Sequence, residues 1–229
     1  VLIEPREILI GDEVRYSPGK CPCRIAEQKR LEQAKIRAEI LEAQSRNTYT
    51  WLGSKWAMTA MRQKTFENFK AERQQEGYES AMLYAANPEG TLALHGTFGT
   101  GKTHLLAAVC NKSLYNAKPT YSLFTTAPML FGAIQERIGH NEDYYPLIDR
   151  AIQTPLLVID DVDKAKWTEF REEIYFSIVD RRVQSGRPMA ISTNRLSDLA
   201  SFVGGAVCSR LKIGQIDVEM AGSDYREEL

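Results

Sequence analysis

The chain has 229 residues, of which 43% are hydrophobic, with 29 Lys/Arg against 30 Asp/Glu. That size suits one α/β domain with an N-terminal appendage, and a net charge of −1 calls for no nucleic-acid partner through bulk charge. No apolar run reaches the roughly 18 residues of a membrane span, no secretory signal is present, and four irregularly spaced cysteines make no disulfide framework, so a cytoplasmic protein is expected. Charge is unevenly spread. Residues 1–75 hold 14 Lys/Arg against 10 Asp/Glu, net +4, and the remainder 15 against 20, net −5. The N-terminal excess reads as a solvated, mixed-charge surface. Because the chain opens on Val1 rather than Met, the natural N-terminus is expected upstream.

In chain order, Glu7-Ile-Leu-Ile10 is a short β-like run and Ser17-Pro-Gly19 a turn. From Arg24 to about Arg46 the chain is rich in Ala, Glu, Gln, Lys and Arg. Apolar residues there are sparse (Ile25, Leu31, Ile36, Ile40, Leu41), which predicts a long, mostly exposed helix. A helix this polar needs a partner to hold it. Tyr49-Thr-Trp-Leu-Gly53 reads as a linker, and the domain boundary is expected at residue 60, giving an N-terminal region 1–60 and a nucleotide-binding domain 61–229. Ser80 to Ala86 is helical and stops at Asn87-Pro-Glu-Gly90.

The next stretch carries the chemistry. Thr91-Leu-Ala-Leu-His95 is a buried strand, Leu105-Leu-Ala-Ala-Val-Cys110 a helix, and GTFGTGKT lies between them from Gly96 to Thr103. This matches the phosphate-binding pattern G-x-x-x-x-G-K-[ST]. Its glycines let backbone N–H groups close on a phosphate while the following helix aims its positive end at it. Gly96, Thr97, Gly99, Thr100, Gly101, Lys102, Thr103 and His104 form the expected nucleotide cradle. Lys102 would reach the β- and γ-phosphates, as a surface-loop charge with no packing role, and Thr103 would place its hydroxyl on Mg²⁺.

Further strands follow at Thr120–Phe124, Thr154–Asp160, Arg187–Ser192 and Ile213–Val218. They alternate with helices at Ala127–Gly139, Thr168–Ser185 and Leu199–Leu211, which predicts a doubly wound, mostly parallel five-stranded sheet of the P-loop type. The run Leu156-Leu-Val-Ile-Asp160-Asp161 buries a strand and ends it in two acids. Asp160 would hold the Mg²⁺ and Asp161 would orient or deprotonate the attacking water. Asp163, one turn on, reads as the N-cap of the Trp167 segment.

These residues carry a resemblance. KTFENF at 64–69, NPEG at 87–90, GTFGTGKTHLL, VIDDVDKAKWTEF, ISTNRLSDLA, GAVCSRL and GSDYR together resemble the AAA+ ATPases of the DnaC/DnaI helicase-loader and IstB transposition-helper group. The likeness spans roughly residues 64–226. It implies that Asn194, ending the fourth strand, helps position water against the γ-phosphate. Arg210 of the Ser-Arg-Leu box would be given to ATP on a neighbouring subunit, and Arg226 would contact phosphate in its own. Phe66 to Phe69 would lie by the adenine. Guanidinium forks suit this work because they match phosphate oxygens.

The resemblance further implies an ATP- and Mg²⁺-dependent ATPase that self-assembles through its Arg210 face. It would place a hexameric, DnaB-type replicative helicase on single-stranded DNA. Candidate DNA contacts are Arg137, His140, Tyr144, Tyr145 and the Lys164-Ala-Lys166 loop. Asp161 stands where vigorous motors carry Glu, which implies slow, switch-like turnover. The sequence ends three residues after Arg226, so neither a full helical lid nor a helix-turn-helix domain is expected. Cys21-Pro-Cys23 resembles half of a loader zinc site, whose other ligands would lie upstream of Val1. Cys110 and Cys208 read as small buried hydrophobes, and His95, His104 and His140 show no metal-ligand spacing. Two alternatives stay open: an IstB-type helper remodelling duplex DNA, and a non-hydrolysing ATP-switched adaptor. The Asp160-Asp161 pair and the long polar helix favour the loader.

Overall fold

The computed structural model describes residues 6–10, 13–17, 27, 30, 31, 34, 35, 60–113, 116, 121–222, 224 and 225. The chain divides into two compact units, Val1–Ala43 and Gln44–Leu229. In the first, β1 (Arg6–Ile10) pairs antiparallel with β2 (Glu13–Ser17), Ile8 facing Arg15 and Ile10 facing Glu13. The second strand escapes the sequence reading, although Val14 and Tyr16 alternate with Glu13 and Arg15 at strand period. Of the expected long helix, Glu27, Arg30, Leu31, Ala34 and Lys35 are described and are helical. Cys21, Cys23, the 49–53 linker and Arg226 lie outside the described residues.

The second unit holds a five-stranded parallel sheet in the order β4-β5-β6-β3-β7. Its strands are β3 (Thr91–His95), β4 (Ser122–Thr126), β5 (Leu156–Asp160), β6 (Met189–Thr193) and β7 (Gln215–Glu219). The expected doubly wound parallel sheet is present. Strand faces alternate: Leu157, Ile159, Met189 and Ile191 point into one core, Leu156, Val158, Leu92 and Leu94 into the other. Helices α1 (Gln75–Ala86) and α2 (Lys102–Ser113) cover the second face. Helices α3 (Ala127–Gly139), α4 (Tyr145–Gln153), α5 (Glu169–Gln184), α6 (Leu199–Val203) and α7 (Gly205–Leu211) cover the first.

Two elements of this second unit differ from expectation. Helix α4 was not anticipated, yet Pro146 sits in its first turn and Leu147, Ile148, Ala151 and Ile152 bury one face. The single helix expected over Leu199–Leu211 is split at Gly204, whose φ of 83° an L-residue tolerates poorly.

One buried arginine ties the base of the sheet together. Arg182, fully buried on α5, donates from Nη1 to the carbonyls of Ala151, Ile152 and Thr154, and from Nη2 to those of Pro155 and Pro188. It thereby satisfies the C-terminus of α4 and the entries of β5 and β6. Arg182→Met removes this donor from all five carbonyls, of which, among the described residues, only Pro188 O keeps another, the Leu157 N–H at 3.4 Å, so denaturant unfolding should show a loss of about 3 kcal/mol. A loss below about 1 kcal/mol would place the constraint elsewhere.

Candidate functional site

The strand order builds the site. Because β6 runs between β3 and β5, the carboxyl ends of the phosphate-loop strand, the Asn194 strand and the acidic strand lie side by side. An open pocket of about 460 Å³ lies there. It is lined by Lys64, Asn68, Phe69, Lys70, Phe98, the 99–104 segment, Asp161, Lys164, Asn194 and Tyr225. The loop can wrap this space only with glycine. A Cβ on Gly101, at φ 93°, would stand 2.6 Å from Phe69 Cε2.

Lys102 is not the surface charge expected. It opens α2 and is only 6% exposed, with Nζ donating to Gly96 O (2.9 Å), Thr97 O (2.5 Å) and Thr100 Oγ1 (3.4 Å). Burial pulls its pKa down while Asp160, Asp161 and Asp163 hold it up. The ammonium therefore stays on its own loop, facing three carboxylates.

Asp160 is buried at the end of β5, bonded by the Ser192 hydroxyl at Oδ1 and by the Thr103 hydroxyl. Burial and the adjacent Asp161 charge push its carboxyl up to about 6. Asp161 adopts a left-handed conformation (φ 53°, ψ 50°) and donates its backbone N–H to Ser192 Oγ at 2.9 Å. Ser192 thus holds both acids at once, a role that no local pattern signals. Thr103 and Asp160, hydroxyl against raised carboxyl, fit a hard divalent cation, whose charge would relieve the repulsion between Asp160 and Asp161.

Asp163 caps no helix. Helix α5 starts after Thr168 without a side-chain cap, and the Asp163 carboxylate accepts from Asn194 N (3.0 Å) and Asn194 Nδ2 (3.2 and 3.1 Å). Lys164, a candidate DNA residue by sequence, lines the pocket. Its Nζ lies 3.4 Å from Asp163 and 4.2 Å above the Phe98 ring.

The aromatic segment separates into two roles. Phe66 is buried in the core against Tyr78 and does not line the pocket, whereas Phe69 does. Phe69 stacks on Tyr78 at 6.0 Å and meets the His104 ring edge-on at 5.1 Å. His104 Nε2 is placed by Thr65 O (2.9 Å) and Asn68 Oδ1 (3.0 Å), and burial lowers its pKa. His95 pairs with Asp217 at 2.9 Å, and His140 closes α3. Cys110 is fully buried, its thiol pushed up to about 12, while Cys208 is half-buried. Among the described residues no cluster of His, Cys, Asp and Glu could hold a metal by itself, and no helix is long and apolar enough to cross a membrane.

Arg210 does not line the pocket. Its Nε is paired with Asp180 Oδ1, its Nη1 donates to Ala206 O at 3.1 Å, and its guanidinium lies 4.4 Å above the Phe176 ring. Of the DNA candidates, Arg137 is engaged with Asp143 O and Glu142, and Tyr144 stacks on the exposed Tyr145.

A parallel sheet with a phosphate loop, a strand-end acid pair and a polar residue on the strand inserted between them defines an AAA+ P-loop ATPase domain. The profile of the bacterial DnaA ATPase domain matches residues 60–217, and the chain belongs to that family. Within it, the chain is a relative of the DnaC/DnaI-type helicase loaders. It is 29% identical to the replicative helicase loader DnaC of Escherichia coli K12 over 198 residues, covering 80% of this chain and 78% of that protein. The crystal structure of the DnaC helicase loader superposes with a TM-score of 0.61 at 22% identity, covering 72% of this chain and 99% of that one. AMPPCP-bound DnaA from Aquifex aeolicus gives 0.61 at 23%, covering 74% of this chain and 51% of that one, so this chain spans about half of that solved chain.

Proposed function

We propose that this chain is an ATP-dependent loader of a hexameric, DnaB-type replicative helicase, acting in the cytoplasm. The observation that carries the reading is the relationship to DnaC, which runs through most of both chains. The pocket supports its ATP dependence. Phe69 offers a ring to the base, the loop N–H groups and Lys102 meet phosphate, and Asp161 and Asn194 orient or deprotonate water. Thr103 and Asp160 would hold Mg²⁺, which when bound supplies charge neutralisation at the phosphates. Hydrolysis is slow, because the shorter Asp161 stands at the water-activating position. It depends on assembly through the Arg210 face, with Arg226 contacting phosphate within the same subunit. Residues 1–60 dock on the helicase, and the exposed Tyr145 with neighbouring cations offers a surface for single-stranded DNA.

Two measurements test this. Titration with a fluorescent ATP analogue should show Lys102→Ala weakened roughly 30-fold, about 2 kcal/mol. Size-exclusion of the full chain with the cognate hexameric helicase should give one complex, which transfers to single-stranded DNA when ATP is present. Near-normal ATP affinity in Lys102→Ala would remove the phosphate-loop assignment. ATP binding without helicase association would remove the loader reading and leave an ATP-switched adaptor.

A further inference from the structure

We propose that Asp163 is a positioning residue, which turns the Asn194 side chain so that its amide oxygen, not its nitrogen, faces the nucleotide pocket. The Asp163 side chain is 2% exposed and lies two residues beyond the acid pair, with its carboxylate directed at Asn194. An ionised carboxylate only accepts hydrogen bonds. Asn194 Nδ2, within 3.2 Å of both carboxylate oxygens, must therefore be the amide nitrogen, and the Asn194 backbone N–H adds a third contact at 3.0 Å. Donation by Asn194 and the Lys164 charge together hold the Asp163 pKa below the ordinary carboxylate value against its burial.

With nitrogen engaged, the polar atom Asn194 has left is Oδ1, for which no partner is found among the described residues, and Asn194 lines the pocket. An amide oxygen repels phosphate oxygens and accepts from water. Asn194 thus works on the nucleophile: it accepts one O–H of the attacking water, whose other proton is directed at Asp161. Asp163 touches neither water nor phosphate and acts only through Asn194 and its ion pair with Lys164.

This inference rests on the ATPase reading above, and the experiment separates the two. Replacing Asp163 by Asn puts an NH₂ about 3.1 Å from Asn194 Nδ2 in one amide orientation. That donor–donor contact favours a flipped Asn194, with nitrogen toward the pocket. Steady-state hydrolysis by full-length Asp163→Asn should show kcat at least about tenfold lower, with KM for ATP within about threefold of wild type. The exchange Asp163→Asn/Asn194→Asp then lets the amide at 163 donate to a carboxylate at 194. An acceptor again faces the pocket, so most of the lost kcat should return.

Wild-type turnover that Lys102→Ala abolishes establishes the ATPase reading independently of these variants, and its absence would remove both ideas. Given that turnover, three results overturn the proposal. They are a wild-type kcat in Asp163→Asn, an exchanged variant that binds the ATP analogue normally yet stays as slow as the single variant, and a parallel fall in melting temperature and ATP affinity. The last would make Asp163 part of the scaffold only.

Discussion

Arg210→Ala is expected to bind ATP within about threefold of wild type and to hydrolyse it on the order of 10³-fold more slowly. The undisturbed affinity follows from geometry, because Arg210 does not line its own pocket and rests on Asp180, Ala206 and Phe176. The lost rate follows if its guanidinium completes a neighbour's site, where charge on the transferred phosphoryl group needs a planar cation. Wild-type turnover per subunit should then rise with protein concentration. Mixing Arg210→Ala with Lys102→Ala should restore part of the rate, since one supplies an intact phosphate loop and the other an intact arginine. A rate per subunit independent of concentration, with no recovery on mixing, would describe a solitary nucleotide switch.

Asp160→Asn should separate stability from function. Burial and the Asp161 charge raise the Asp160 carboxyl from 3.8 to about 6, so the folded protein keeps a proton that the unfolded chain has released. Ligand-free stability therefore falls as pH rises from about 4 to 6, by up to roughly 3 kcal/mol, and this contribution is constant above that. The neutral amide removes the slope while keeping an acceptor for the Ser192 hydroxyl. The melting temperature of ligand-free Asp160→Asn should thus exceed wild type above pH 6 and converge with it near pH 4. Hydrolysis should fall on the order of a hundredfold if Asp160 is the anionic cation ligand proposed above. Asp163, whose pKa is lowered, contributes in the opposite sense: its stabilisation is lost as pH falls below the ordinary carboxylate value. A melting difference that does not vary between pH 4 and 7 would contradict the raised Asp160 carboxyl.

The parts of this protein legible in its sequence are those whose physics is local. The phosphate loop is eight contiguous residues between a strand and a helix, and the glycines and backbone donors that shape it lie within it. The apolar runs ending in Asp160 or starting at Thr91 form strands because every second residue must be buried on each face. Phe69, close to the loop's helix only in space, needed the resemblance, which could not separate it from Phe66. Tertiary structure decided the rest. Asp163 and Asn194 are 31 residues apart and meet only because β6 inserts beside β5. The same insertion, 32 residues from Asp160, lets Ser192 reach both acids. Lys102 reads as exposed in a list of residues, yet the fold returns its ammonium to the carbonyls of Gly96 and Thr97 and faces it with three carboxylates. Residue types and spacing set which groups are present; the order of strands, settled by packing two apolar faces at once, set which of them touch.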